Sequence, residues 1–117
     1  MFDELNIRDL SKNLKLNVRG KPLFDFNGQQ VLISKFSRHP KWEFHPNSDE
    51  YLQVIEGNLE LILLTDTGAE ELRLGPDCIC VVPEGVWHSP IPHGPVTLLS
   101  VGSYEGTLVS NEDDPRE

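Results

Sequence analysis

The chain has 117 residues, the length of one domain built around one core. Its 19 acidic against 10 basic residues give a formal net charge of −9, and beyond the scattered Arg38 and Lys41 no cluster of Lys and Arg stands out. A nucleic acid or an anionic membrane needs a basic face, so both are excluded as partners; acidic and basic residues interrupt Met1 to Leu16, and no run approaches the ~18 apolar residues of a span, so a cytoplasmic location is expected.

In chain order, Leu5 to Leu14 place apolar residues at helical intervals, which predicts at most a short turn or helix near Arg8 to Lys12. From Gly20 onward turn signals recur and frame short apolar or alternating runs. The predicted strands are Leu23–Phe26, Gln30–Phe36, Trp42–His45, Tyr51–Glu56, Leu59–Thr65, Ala69–Leu74, Cys78–Val82, Trp87–Ser89 and Val96–Val101. Turns are predicted between them, among others at Gly57-Asn58, Pro83-Glu84-Gly85 and the stretch Pro90 to Pro95. This is the rhythm of an all-β sandwich or barrel. A single domain over 1–117 is expected, with its core at about 22–104 and loosely ordered ends, including the tail Asn111 to Glu117.

Cys78 and Cys80 lie two apart in an apolar run, on one face of a strand, and read as small buried core thiols. Of the four histidines, His39 before Pro40 and His93 in the turn-rich Pro90 to Pro95 stretch read as exposed loop residues. His45 and His88 stand in a different context. In Trp42-Glu43-Phe44-His45 a strand sends Glu43 and His45 to one face, and after the Pro46–Asp49 turn the next strand sends Glu50, Leu52 and Val54 to a common face. If the two strands pair, Glu43, His45 and Glu50 converge. His88 follows the Pro83-x-Gly85 turn on a separate strand, and imidazole with carboxylate suits iron, manganese, nickel or zinc.

Two readings of His45 and His88 stand side by side. They are metal ligands with Glu50, or they are interior histidines hydrogen-bonded to other side chains. Glu43 has three: a fourth, anionic ligand, a base beside the ligands, or a solvated residue paired with Lys41. Tyr51, Trp42 and Trp87 fall on the outward face, Leu52 and Val54 on the pocket side, and Ser103 to Gly106 read as a turn without a functional role.

His45-x4-Glu50-x6-Gly57 followed by Pro83-x-Gly85-x2-His88 resembles the paired motifs of the cupin superfamily, in particular the small single-domain cupins of mannose-6-phosphate isomerase-like type. The resemblance implies a double-stranded β-helix, or jelly-roll barrel, holding one divalent metal ion through His45, Glu50 and His88, with Gly57, Pro83 and Gly85 as turn residues. It departs from the usual pattern at Glu43, where a histidine is expected, and at Pro92, where an asparagine is expected. The function implied is a metalloenzyme of dioxygenase or isomerase type acting on a small chelating carboxylate, keto or hydroxyl substrate, with Glu43 as the nearest general base; the alternative is a non-catalytic module for a small or sugar-like ligand. A homodimer paired through strand edges and apolar outer faces is expected, and metal occupancy is expected to fall as pH drops through about 6, the range in which a free histidine takes up its proton.

Overall fold

The computed structural model describes residues 4–117. A helix, α1 (Ile7–Asn13), precedes the strands β1 (Val18–Phe26), β2 (Gln29–Phe36), β3 (Trp42–Phe44), β4 (Glu50–Thr65), β5 (Gly68–Leu74), β6 (Ile79–Val82), β7 (His88–Gly102) and β8 (Leu108–Ser110). α1 starts where Asn6 caps it, its side-chain oxygen accepting from the Asp9 amide at 3.0 Å. Asp9 in the first turn and Lys12 in the last both oppose the helix dipole favourably. β1 and β8 carry the fold beyond the expected 22–104 core on both sides.

The main departure from the predicted elements is that four short strands are two long ones. Tyr51–Glu56 and Leu59–Thr65 merge into β4, while Trp87–Ser89 and Val96–Val101 merge into β7. The two run antiparallel from Leu63 opposite His88 to Tyr51 opposite Val101, with irregular register around Glu56. The expected Gly57-Asn58 turn is a bulge in β4: Gly57 has φ +89°, and a Cβ there would lie 2.3 Å from the Pro95 carbonyl oxygen. Pro90 and Pro92, expected to break the chain, sit inside β7. Among the described residues, β3 meets β7 at Glu43 opposite His88 and β2 joins it from Val96 onward, so between these points one edge of β7 is free, and prolines two apart can both turn their missing donors to it.

Bending lets β4 and β7 serve two sheets. One is ordered β1-β2-β7-β4-β6 through the C-terminal half of β7 and the N-terminal half of β4. The other is ordered β8-β3-β7-β4-β5 through the opposite halves. Curled over a common interior, they make the expected all-β jelly-roll barrel. One expected pairing is not made: β3 joins β7 and β8, not β4, so the convergence of Glu43, His45 and Glu50 has another origin.

The interior is packed by Phe36, Leu52, Val54, Leu59, Leu61, Leu63, Leu74, Val82, Val96 and Leu98. Each fully buried aliphatic side chain of this kind contributes roughly 1.5–3 kcal/mol of hydrophobic stabilisation. Cys80 packs against this cluster, but Cys78 is exposed, contrary to the expectation of two buried thiols. It precedes β6, and its amide closes a turn onto the Gly75 carbonyl instead of joining a ladder. Trp42, expected on the outward face, is buried, and Trp87 packs against Phe44 with ring centroids 5.0 Å apart. The tail, expected to be loose, is tied at Asn111 and Asp113 to Lys41, and at Arg116 to the Thr65 carbonyl.

Candidate metal centre

Hydrogen bonds between loops bring the two motifs together. The Gly85 amide donates to the His45 carbonyl at 3.0 Å, and the Glu84 amide donates to the Asp49 carboxylate at 2.8 Å. The Pro83–Gly85 turn, with Gly85 at φ +72°, is thereby stitched to both ends of the segment carrying His45 and Glu50. His88 then begins β7 between Glu43 on β3 and Leu63 on β4. A third loop joins them: the Ser103 amide donates to Ser48 Oγ at 2.7 Å, and Asn47 Nδ2 donates to the Glu105 carbonyl at 2.6 Å.

These connections fix the histidine tautomers. The Thr107 hydroxyl gives its hydrogen to the Tyr104 carbonyl at 2.8 Å, so toward His45 Nδ1, also at 2.8 Å, it can only accept. His88 Nδ1 faces the Val86 carbonyl at 3.0 Å and must donate as well. With Nδ1 protonated on both rings, the neutral imidazoles present lone pairs at Nε2. Among the described residues, both Nε2 atoms are buried without a hydrogen-bond partner. An orphaned buried nitrogen is costly in a mere packing residue, and donation from the other ring nitrogen is the usual support of a metal-ligating histidine.

The two Nε2 atoms face two carboxylates. Glu50 Oε1 lies 3.3 Å from His45 Nε2 and 3.5 Å from His88 Nε2, and Glu43 Oε2 lies 3.6 and 3.7 Å from them. These spacings are long for charge-assisted hydrogen bonds. They suit ligands of one centre, because donors bound at about 2.0–2.2 Å sit roughly 3–4.4 Å from each other. All four donor atoms lie within 4.8 Å of one another. Glu43, His45, Glu50 and His88 therefore form a group that fits a divalent cation, with two negative charges and two neutral imidazoles.

The electrostatics of the cluster follow from this opposition. Burial would raise both carboxyls, but the neighbouring histidines hold Glu43 and Glu50 well below the ordinary carboxylate range. Burial would likewise lower both histidines, yet the two carboxylates raise His45 and His88 from 6.5 to about 9. Without a cation the cluster holds protons, and a cation must displace them.

Glu43 divides its oxygens. Oε2 faces the cluster, while Oε1 accepts from His39 Nε2 at 2.9 Å and from Arg19 at 3.4 Å. His39, expected as an exposed loop residue, has a side chain only 2% exposed, and its Nδ1 faces the Pro40 carbonyl. Lys41, the partner considered for Glu43, pairs with Asp113 instead. His93 is exposed as expected, although it stands in β7 beside Glu60. Leu52 lines the cavity over the cluster, whereas Val54 is wholly within the packed core.

Sequence reasoning missed Thr107 and Tyr104, both on a segment read as a plain turn or left without a role. Tyr104 sets its ring edge-on to His45 with centroids 5.2 Å apart, and its buried hydroxyl has no hydrogen-bond partner among the described residues. Burial, then the charge of Glu50, raises its phenol. No hydrophobic period marks a hydroxyl that orients an imidazole 62 residues away in sequence. The cavity beside the cluster has a volume of about 240 Å³ and is walled by Leu32, Phe36, Leu52, Pro90 and Leu98, with hydroxyls of Ser34, Ser100 and Tyr104 among them.

Comparison with known proteins agrees with this fold. Residues 31–102 match the family described as the cupin domain. A cupin-2 domain containing protein from Shewanella frigidimarina superposes with a TM-score of 0.73 at 21% identity, over 85% of this chain and 93% of that one. A protein from Neisseria meningitidis gives 0.69 at 20% identity, over 86% and 99%. Hydroxypropylphosphonic acid epoxidase from S. wedmorenis gives 0.56 at 20% identity, over 63% of this chain and 43% of the epoxidase. No curated protein matches. With the family match spanning 31–102, more than half of its length, the chain belongs to the cupin family.

Proposed function

We propose that this cupin is a metal-dependent enzyme acting on a small substrate that chelates the metal through carboxylate, keto or hydroxyl oxygens, by oxidation with dioxygen or, second to that, by isomerisation. The observation that carries the reading is the pair of buried, unpartnered Nε2 atoms of His45 and His88 facing Glu50 and Glu43 at the floor of a cavity. A mere structural cluster would have paired those nitrogens. His45, Glu50 and His88 would hold the ion, with Glu43 as fourth ligand through Oε2 or as the base beside it. When bound, an iron, manganese, nickel or zinc ion supplies Lewis acidity and, for a redox-active ion, reactivity toward dioxygen at positions the protein leaves open. Among the superposed structures are an iron(II) form of the epoxidase and an oxalate oxidase that matches at a TM-score of 0.59 and 19% identity over 46% of its length, which supports an oxidative reading.

The chain's own residues do the rest. Leu32, Phe36, Leu52 and Leu98 give the cavity an apolar wall. Thr107 and the Val86 carbonyl orient the imidazoles, and Glu43, with one oxygen toward the cluster and one toward His39, is placed to move a proton between them. A homodimer belongs to this reading; Phe24, Ile79 and Val81, each more than half exposed on the outer face of the β1-β2-β7-β4-β6 sheet, are the surface it would cover. Elemental analysis of the pure protein should find close to one metal ion per chain. Screening the loaded protein with oxygen consumption as readout then separates the alternatives: tight binding of small chelating acids without product from any of them would leave a ligand-binding module and sink the enzyme.

A further inference from the structure

We propose that the substrate of this site is a small monoanion and that Arg19 is the residue that reads its charge. The inference rests on the metal-site reading above and adds the chemical class of what that site admits. Charge balance supplies the first step. A divalent ion with neutral imidazoles is neutralised by Glu43 and Glu50, so the guanidinium of Arg19, on the wall of the same cavity, leaves an excess of one positive charge. In a protein of net charge −9 such a local excess stands against the field of the whole molecule.

Arg19 is only partly used by the protein. Among the described residues its side chain makes one hydrogen bond, the 3.4 Å contact to Glu43 Oε1, an oxygen that His39 already serves at 2.9 Å. Its remaining donors have no protein partner. The guanidinium lies over the Phe36 ring, 4.6 Å from the centroid, so its plane is steadied by an aromatic face and its edge is left for a ligand. A residue serving only as counter-ion to Glu43 would have a shorter, bidentate pairing.

The second observation is where Arg19 stands. It lines the cavity over the cluster and also an outer cleft formed with Asn17, Arg38, His39 and Pro40. The two spaces meet at Arg19 and His39, and the outer one presents a second arginine and no acidic residue in its lining. Guanidinium groups thus border both spaces, Arg19 the inner one and Arg19 with Arg38 the outer. The cavity, at about 240 Å³, falls below the ~300–1,000 Å³ of ordinary ligand pockets, which restricts the substrate to a few heavy atoms. A short hydroxy or keto monocarboxylate fits: its hydroxyl or keto oxygen and one carboxylate oxygen face the cluster, and the other carboxylate oxygen faces Arg19.

The test is calorimetric titration of the metal-loaded protein with glycolate and with its neutral amide, glycolamide, for wild type, Arg19→Gln and Arg19→Lys. Wild type should bind glycolate at least tenfold more tightly than the amide. Arg19→Gln should lower glycolate affinity by about 10- to 100-fold, as loss of a charge-assisted hydrogen bond does, and should leave amide binding and metal content unchanged. Arg19→Lys, which keeps the charge and loses the fork, should fall between. Equal binding of acid and amide by wild type, no glycolate binding, unchanged binding in Arg19→Gln, or loss of metal from that variant would each overturn the proposal. Arg19-dependent selectivity in a protein that takes up no metal would sustain it and remove the metal reading; stoichiometric metal without that selectivity would do the reverse.

Discussion

The metal cluster has two halves that differ in how they are held. The inner half, His45, Glu50 and His88, is buried, and its members look mainly toward one another and toward the Thr107 hydroxyl and Val86 carbonyl that orient the two imidazoles. The outer half, Glu43, is tied to His39 and Arg19, and through them borders the outer cleft. Both halves carry a carboxylate, yet only one of them has partners outside the cluster. The difference teaches that a ligand set can be read in two parts: residues with nothing to do unless a cation is present, and a residue already satisfied that can serve as ligand, base or gate.

The sharpest way to break this comparison is at the inner half. His88→Ala and Glu50→Gln should each reduce metal affinity by about 100-fold or more, beyond the ~10–100-fold that loss of an outer-shell partner costs; a variant retaining full occupancy by elemental analysis would refute that ligand. Glu43→Gln should cost less, about tenfold, since Glu43 is held by His39 whether or not it ligates. If its metal content equals that of wild type while turnover collapses, Glu43 is the base and not a ligand.

The pH dependence distinguishes the metal-free from the loaded protein. His45 and His88, raised to about 9 in the metal-free fold, contribute stability that is fully present below the unfolded value of 6.5 and is lost as pH rises through about 9. Glu43 and Glu50, held low, contribute stability present above the unfolded value of 4.5 and lost as pH falls. Metal-free protein should therefore melt at progressively lower temperature from pH 6.5 to 9. Over the same interval metal affinity should rise, because the protons it displaces leave more readily. Thermal melts with and without metal that change in parallel would contradict this. The drop in occupancy expected near pH 6 from ordinary histidines is thereby moved upward by the two carboxylates.

The smallest effect is expected at the orienting hydroxyl. Thr107→Val removes the acceptor for His45 Nδ1 and should weaken metal binding about tenfold, with little change in the fold; calorimetric metal titration of the variant checks it. No change would mean that the ring is held by Tyr104 and its packing alone.

Much of the site was legible because cupin ligands lie close to turns whose residues are themselves constrained. His45, Glu50 and His88 stand at fixed sequence distances from Gly57, in the β4 bulge, and from the Pro83–Gly85 turn, and backbone geometry at both places leaves little freedom. Glu43 was legible by alternation with His45 on one strand. His39 was misread because a histidine before proline is ordinarily a loop residue; only the fold places it under the barrel mouth, with its ring against Glu43. Cys78 was misread because the apolar run begins one residue before the ladder does.

By itself the sequence determined the all-β class and singled out His45, Glu50 and His88 as candidate ligands, since period-2 alternation and turn chemistry are local properties written in consecutive residues. Tertiary structure alone decided that β4 and β7 run unbroken through Gly57 and the prolines, and that β3 reaches Glu50 by way of β7. It also decided that Thr107, His39 and Arg19 surround the cluster, because contacts between residues far apart in sequence depend on how the sheets curl, which no local pattern encodes.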